Sequence, residues 1–542
     1  MWTPEGPALR KWRSSSSATS DWEESIRTSL RDGPRGALEA ALALTAAIDR
    51  SGHDGTFLLC WVHFVDLFHG STHSVLDANH FAQRIRLLDG MSGPSHVQAA
   101  LAAAEDPTLV DDVSGAPFAR VDDSLVARRF LNAERRIQSD LSRLEGAAKA
   151  LSVEAFEAAS RRVPLLGEDQ HGALSAARTQ AVTLVVGGPG TGKTVLSGRI
   201  VRAWVEAGLS PRRVVRAAPT GKAAQRMAQA TVDLPELSLP GTLHRLLQTG
   251  TDVWEAVLVD EASMVGTELM ARLLGSIPTG ARLVLMGDPD QLPSVDAGAP
   301  LRDLCRGFSH WTRTLTQPRR TREGGVLLKA ARAVRAGDAD ALRTLSSVVR
   351  HPDGHGDGLF WLPSDPRDVQ GERTVLIRWF QQARRRNAVL LAVTKDGPRG
   401  TRAFNRLAMS LRGSTPDRMA PGQPLIATRN DYSRGLFNGE LGRVTEDGAV
   451  EFEGGRRFRL GSLTGLEPAD ALTVHKAQGS EVDDLLFALP PPHHGLGTRE
   501  MLYTALTRAR RRVILLGTDE ALAGMLEARS VRTTGRLGGR TP

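Results

Sequence analysis

The chain has 542 residues, too many for a single hydrophobic core, so three or four domains are expected. An apolar content of 41% supports packed globular domains, and 69 Lys+Arg against 61 Asp+Glu leave a net charge of +8, which suits a polyanionic partner such as nucleic acid. Cys60 and Cys305 are the only cysteines, which excludes a disulfide framework and a cysteine-based zinc site and points to a reducing, cytoplasmic setting. No apolar stretch reaches membrane-spanning length.

The first 20 residues carry Arg10, Lys11, Arg13 and a serine run with no apolar core behind them. That is not a signal peptide, and the segment reads as a disordered leader. From 21 to 165 the pattern is helical, with Ala/Leu-rich segments at 37–48, 97–104 and 124–151 and no constellation of chemical groups, as in a separate non-catalytic domain. Trp61, Phe64, Leu67 and Phe68 fall at helical spacing and read as core rather than as a partner-binding stripe.

Chemistry begins near Leu166. An apolar run at 181–186 leads into Gly187-Gly188-Pro189-Gly190-Thr191-Gly192-Lys193-Thr194, and a helical pattern through Val195, Leu196, Ile200 and Trp204 follows. This is strand, phosphate loop, helix: glycines let successive N–H groups point at phosphate oxygens, and the helix N-terminus adds its positive dipole end. Lys193 would reach the β and γ phosphates of a nucleoside triphosphate and Thr194 would ligate Mg²⁺. Gln170, 17 residues ahead of Gly187, lies close enough to meet an adenine edge with its bifunctional amide.

A second strand at 214–218 runs into Pro219-Thr220-Gly221-Lys222, and Thr242-Leu243-His244-Arg245 opens a helix on the same edge, where loops face the ligand crevice of such sheets. The apolar run at 256–259 ends in Asp260 and Glu261. Such a pair divides two roles, Asp260 holding Mg²⁺ and Glu261 orienting and deprotonating the attacking water. A strand at 283–286 leads to Gly287-Asp288-Pro289-Asp290-Gln291, where Gln291 can sense the γ phosphate.

Beyond Arg320 a second α/β unit begins, with a helix at 326–334 and a strand at 388–393. Short alternating strands at 425–427, 442–444, 450–452 and 457–460, separated by the turn signals Asn438-Gly439 and Gly454-Gly455, read as a small barrel-like insertion. The α/β unit resumes at 471–474, followed by His475-Lys476-Ala477-Gln478-Gly479-Ser480, a strand at 485–489, a helix at 498–508 and a strand at 513–516. In isolation Arg508, Arg510, Arg511 and Arg512 read as a solvated basic face, and the tail after Ser530 reads as disordered.

Together, the phosphate loop, Ala218 to Ala224, Thr242 to Leu247, Val259 to Met264, Gly287 to Val295, Val474 to Ser480 and Tyr503-Thr504-Ala505-Leu506-Thr507-Arg508-Ala509 resemble a superfamily 1 helicase. Within that group the chain resembles the RecD family, alpha subunits of the RecBCD (exonuclease V) complex. Ala427 to Gly442, with Arg429-Asn430-Asp431 and Gly435-Leu436-Phe437-Asn438-Gly439, is similar to the same family, and Arg129 to Glu134 faintly so. The likeness is close from about 166 to 518.

The resemblance implies an α/β fold with two RecA-like P-loop NTPase domains, ATP and Mg²⁺ in the cleft between them, a helical N-terminal domain that contacts partners, and a small SH3-like β insertion. The domains would run 1–20 (leader), 21–165, 166–318 (first RecA-like), 319–412 with 469–530 (second RecA-like), 413–468 (insertion) and 531–542 (tail). It implies 5′-to-3′ movement on DNA, single- and double-stranded, in a heterotrimer with RecB-like and RecC-like subunits that repairs double-strand breaks by homologous recombination. By carry-over, Gln170 matches the adenine-reading glutamine, Lys193, Thr194, Asp260 and Glu261 the phosphate, metal and water residues, and Gln291 and Gln478 the positions coupling nucleotide to DNA. Arg508 matches the arginine that reaches the γ phosphate from the second domain. A second such arginine aligns at Arg320, or at Arg319, where the family commonly has an aromatic residue before arginine and this chain has Pro318-Arg319-Arg320. DNA contact is expected through backbone phosphates, from Thr220, Lys222, His244, Thr473, His475 and Lys476, because a translocase must not depend on sequence. No nuclease carboxylate-lysine cluster is apparent. A stand-alone RecD-like helicase is the alternative, although the helix-hairpin-helix repeats usual in its longer relatives are not seen. An idle scaffold is argued against by intact Lys193, Asp260, Glu261 and Arg508.

Overall fold

The computed structural model describes residues 167–530 apart from 232, 235, 249–252, 318–324, 354, 366, 385, 416–417 and 432, and ahead of them 75–77, 118–121, 124–147, 150–154 and 157–158. The expected leader, the segments at 37–48 and 97–104, the aromatic residues from Trp61 to Phe68, Arg319, Arg320 and the tail after 530 lie outside the described residues.

Three short strands open the described chain, β1 (Val75–Asp77), β2 (Phe118–Val121) and β3 (Ser124–Ala127), paired antiparallel in the order β1-β3-β2. The helix expected over 124–151 therefore starts later and ends sooner, as α1 (Arg128–Glu145). Residues 124–127 have strand partners on both sides, and ladder bonds on two edges satisfy a backbone that would otherwise need helical ones. The apolar stripe of α1 (Ile137, Leu141, Leu144) is buried with Leu273, Leu274 and Ile277 of the domain that follows. Arg143 fastens the contact, donating to the carbonyls of Leu274 at 3.0 Å and Ile277 at 2.9 Å.

The first RecA-like lobe is a six-stranded parallel sheet in the order β6-β5-β7-β8-β4-β9. Its strands are β4 (Val182–Gly187), β5 (Val214–Ala218), β6 (Gly241–Thr242), β7 (Ala256–Val259), β8 (Arg282–Gly287) and β9 (Thr312–Leu315). Strands β4, β5, β7 and β8 are buried along their whole length, which is why they read as continuous apolar runs rather than as alternation: helices cover both faces. Among those helices are α2 (Glu168–Thr179), α3 (Lys193–Glu206), α4 (Gly221–Gln229) and α5 (Thr267–Gly275).

The second RecA-like lobe repeats the plan with six parallel strands in the order β10-β11-β20-β19-β12-β18. They are β10 (Ser346–Val348), β11 (Gly358–Pro363), β12 (Ala388–Ala392), β18 (Ala471–Thr473), β19 (Val482–Ala488) and β20 (Ala509–Gly517). Helix α6 (Val326–Ala336) packs on α8 (Arg499–Leu506) over one face of this sheet.

Between α7 (Thr401–Arg412) and β18 the chain leaves the lobe to form an antiparallel five-stranded sheet, ordered β16-β15-β14-β13-β17. Strands β13 (Pro424–Ala427), β14 (Leu441–Val444), β15 (Ala449–Phe452) and β16 (Arg456–Arg459) coincide with the four expected ones to within a residue. The fifth, β17 (Leu466–Pro468), has three residues at the sheet's edge and ends in proline, too short to show alternation.

Where the chain leaves and re-enters the second lobe, three buried polar side chains close on one another. Arg412 at the end of α7 donates to both carboxylate oxygens of Asp470 at 2.8 and 2.9 Å, and Gln423 donates to Asp470 at 2.6 Å. A buried pair of this kind is costly to break from one side, because the remaining charge has no solvent to turn to. Asp470→Ala is expected to cost about 3–5 kcal/mol in urea unfolding, whereas replacing Arg412 and Asp470 together by Met and Leu costs much less.

Candidate nucleotide cleft and nucleic-acid groove

The phosphate loop sits between β4 and α3, with Gly190 (φ 75°) and Gly192 (φ 83°) in the left-handed region where a side chain would clash. Thr191 Oγ1 donates to the Gly188 carbonyl at 2.8 Å, closing the loop on itself. The Lys193 ammonium folds over it, donating to the carbonyls of Gly187 at 2.5 Å and Gly188 at 3.0 Å, so it already lies in the concavity that phosphates would share. Gln170, near the start of α2, is buried. Its Nε2 donates to the Thr191 carbonyl at 3.0 Å and its Oε1 accepts from the Gly167 N–H at 3.4 Å, so its amide braces the loop's backbone.

Asp260 and Glu261 follow β7. Thr194 Oγ1 donates to Asp260 Oδ2 at 3.4 Å, placing the two proposed metal oxygens side by side. Burial, then the adjacent Glu261 charge, push the Asp260 carboxyl up to about 6, against the pull of the Glu261 N–H, Lys193 and Thr194. A divalent cation would relieve that repulsion, so Thr194 and Asp260 are the residues that would hold Mg²⁺. Glu261 adopts φ 54°, an unusual conformation for a non-glycine residue, at the turn that leads away from the sheet.

The two lobes meet over this site. Arg508, between α8 and β20, is buried, and its guanidinium donates to the Thr504 carbonyl on its own lobe and to Gln291 Oε1 at 3.1 Å on the other. Burial lowers its pKa while the Glu261 carboxylate opposes that shift, so a counter-charge from the first lobe faces it. Among other bonds across the seam, the Leu292 N–H donates to Thr504 Oγ1 at 2.8 Å, and Gln478 Nε2 to the Leu292 carbonyl at 3.2 Å. Beside them a cleft of about 250 Å³ is lined by Gly187 to Pro189 and Thr314 to Thr316 from one lobe and by Arg332, Arg335 and Tyr503 from the other. The arginine run is thus not one face. Arg510 and Arg511 are exposed and paired with Glu481 and Asp357, whereas Arg508 and Arg512 are buried, Arg512 against Asp484 and Arg508 at the lobe seam.

A second groove, of about 530 Å³, is walled by three modules. The first lobe supplies Thr220, Lys222 and His244, the second His475, Lys476 and Gln478, and the insertion Thr428, Asn430 and Asn438. Five of the six residues expected to touch a phosphodiester backbone line it. Thr473 is absent from the wall and instead accepts the Lys476 N–H at 3.3 Å. Thr220 and Thr242 cap the helices behind them, accepting from the N–H of Ala223 and Arg245, so N-terminal helix ends face the groove. Lys222 is buried, bonded to Ser480 Oγ at 3.1 Å and 3.6 Å from Glu453 of the insertion. Burial lowers its pKa and Glu453 opposes that. Lys476 is paired with Glu467 at 2.7 Å. Phe437 of the insertion lies so close over Gly221 that a Cβ there would fall 2.4 Å from the phenylalanine's own Cβ.

Residues 165–350 match the AAA domain family and 468–516 the UvrD-like helicase C-terminal domain. The RecBCD enzyme subunit RecD of Mycolicibacterium smegmatis is 35% identical over 420 residues, 68% of this chain and 74% of that one. The chain belongs to the RecD family. RecD of Mycobacterium tuberculosis is 34% identical over 465 residues, 75% of this chain and 78% of that one. The ATP-dependent RecD2 DNA helicase of Deinococcus radiodurans is 34% identical over 380 residues, 66% of this chain and 50% of that protein. A solved Bacteroides Pif1 bound to ssDNA is similar over 65% of this chain and 92% of that chain, at 18% identity and a TM-score of 0.42, too slight a likeness to weigh.

Sequence reasoning on this RecD-family chain missed the insertion's share of the groove. Asn438 reads from the sequence as a turn residue, and Asn430 and Asn438 lie in the segment 427–442 that resembles the same family, with no nucleic-acid contact expected of either. Their convergence on Lys222 and His475 depends on how the insertion folds back over the first lobe, for which the sequence holds no local signal.

The raised Asp260 carboxyl has a measurable consequence. The folded protein holds this proton more tightly than the unfolded chain, so the group's contribution to stability is full below about pH 4 and is lost as pH rises through about 6. In nucleotide- and Mg²⁺-free protein, lowering the pH from about 7 to about 5 is expected to raise the urea midpoint more in wild type than in Asp260→Asn, which has no proton to gain.

Proposed function

We propose that this protein is an ATP-driven motor that moves 5′ to 3′ along DNA, working as the RecD-like subunit of a RecBCD-type helicase-nuclease with RecB-like and RecC-like partners. As a member of the RecD family it is an ATP-dependent DNA helicase. The observation that carries the mechanism is the burial of Arg508 from one lobe against Gln291 of the other, facing Glu261.

In this reading Lys193 leaves the loop carbonyls for the phosphates, and Glu261 orients and deprotonates the attacking water. Arg508 stabilises the charge that develops on the transferred phosphoryl group. Thr194 and Asp260 would hold Mg²⁺, which supplies neutralisation of phosphate charge. Because the arginine belongs to the opposite lobe, hydrolysis requires closure, and each closure moves the second lobe and its insertion relative to Thr220, Lys222 and His244. Contacts to backbone phosphates serve every sequence alike. Strand cutting is assigned to a partner. The double-strand-break substrate and homologous recombination follow from the assembly. No described helix is long and apolar enough to cross a membrane, and a cytoplasmic, nucleoid-associated location fits a DNA motor.

Lys193→Ala is expected to lower DNA-stimulated ATP hydrolysis and unwinding by at least about a hundredfold, since one charge at a phosphoryl-transfer centre is worth several kcal/mol; unwinding at the wild-type rate refutes the motor reading. Lys222→Ala is expected to weaken single-strand binding evenly across sequences and to make the slope of log K against log salt shallower by about 0.7. Purification from the native cell separates subunit from stand-alone enzyme: co-elution with two larger chains supports the assembly, and a fully active monomer rejects it.

A further inference from the structure

The loop from Asp288 to Leu292 carries Gln291; Arg335 of the second lobe lies 3.6 Å from its Asp290, and four further side chains of that lobe hydrogen-bond it. Gln478 and Thr504 bond the backbone of Leu292, and Arg508 bonds the Gln291 carbonyl. The fourth is Tyr503. Its hydroxyl is buried at the edge of the nucleotide cleft and donates to Asp288 Oδ2 at 3.1 Å. Gln291 Nε2 donates to the same oxygen at 3.0 Å, and the Asp290 N–H occupies Oδ1 at 3.1 Å. Asp288 is therefore a buried carboxylate fixed from three directions, with Tyr503 the donor that comes from the other lobe.

The consequence falls on the amide of Gln291. With its NH₂ held by Asp288, its carbonyl must face Arg508; turned over, it would set an NH₂ against a guanidinium, two donors with no acceptor between them. The hydroxyl also lies close against the phosphate loop, since a Cβ at Gly188 would be 3.2 Å from it, a tight approach. The contact thus forms only when the second lobe comes down on the phosphate loop. Burial and the charges of Asp288 and Asp290 hold the phenol well above its usual range, so it stays a donor at physiological pH.

We propose that Tyr503 is a positioning residue for ATP hydrolysis: its hydroxyl fixes Asp288, Asp288 fixes the Gln291 amide, and the amide aims Arg508 at the γ phosphate on lobe closure. This rests on the motor reading and deepens it. Tyr503→Phe keeps the ring and its packing and removes only the donor. In full-length protein the kcat of ssDNA-stimulated ATPase is expected to fall about three- to tenfold, the worth of one buried hydrogen bond, with KM for ATP within about twofold of wild type. Because Tyr503 acts through Gln291, the double variant with Gln291→Ala is expected to be no slower than Gln291→Ala alone, whereas a residue supporting only the fold would add its loss. An unchanged kcat, a loss confined to KM, or additive losses each overturn the proposal. Should the Phe variant fail to fold, Asp288→Asn supplies the same comparison from the other end of the bond. Lys193→Ala runs alongside: if it is inactive while Tyr503→Phe equals wild type, the motor stands and the positioning role falls.

Discussion

One contact bears the weight of this structure: a guanidinium from the second lobe buried against an amide of the first, with the carboxylate of Glu261 as its facing charge. A buried arginine is tolerated only with polar partners around it, and here one of its three hydrogen-bond acceptors, Gln291, belongs to the other lobe. The closed arrangement is therefore the one in which Arg508 is satisfied, and whatever separates the lobes must also strip it of Gln291. In the proposed motor that requirement would tie nucleotide state to lobe position, because phosphate would offer the same guanidinium an alternative acceptor.

The groove obeys a similar logic on a wider scale. Each lobe ends its strands in loops that turn helix N-termini and basic side chains to one side, and the insertion folds down to make the third wall. Glu453 and Ser480 share the Lys222 ammonium, and Phe437 rests on Gly221. Under the proposed function, a phosphodiester reaching Lys222 would compete with a carboxylate of the insertion, which would link entry of the strand to the seating of the insertion. The buried Arg412, Asp470 and Gln423 cluster keeps the insertion's two connecting segments together at its base.

Fixed local chemistry was legible before any fold was known. Phosphate loops, caps and acidic strand ends are short segments whose geometry is dictated by neighbours in the chain, so Gly187 to Thr194, Asp260 and Glu261 could be read directly, and four of the five insertion strands followed from alternation and turn residues. Segments whose state is set by distant partners were not. Residues 124–127 pass for helix until two other strands claim their backbone, β17 is too short to show a period, and the arginines around β20 look alike until burial separates Arg508 and Arg512 from Arg510 and Arg511.

The sequence by itself determined that this chain carries two nucleotide-type α/β units, a phosphate cradle, a metal-suited carboxylate and a set of basic and hydroxyl residues at strand ends, because each of these is a local pattern. The tertiary structure alone decided which of them meet. It joined Arg508 to Gln291, set Tyr503 between the phosphate loop and Asp288, turned Gln170 onto the loop's backbone, left Thr473 out of the groove and brought Asn430 and Asn438 into it. Such pairings join residues up to more than 200 positions apart, and no propensity or spacing along the chain encodes a distance that only packing sets.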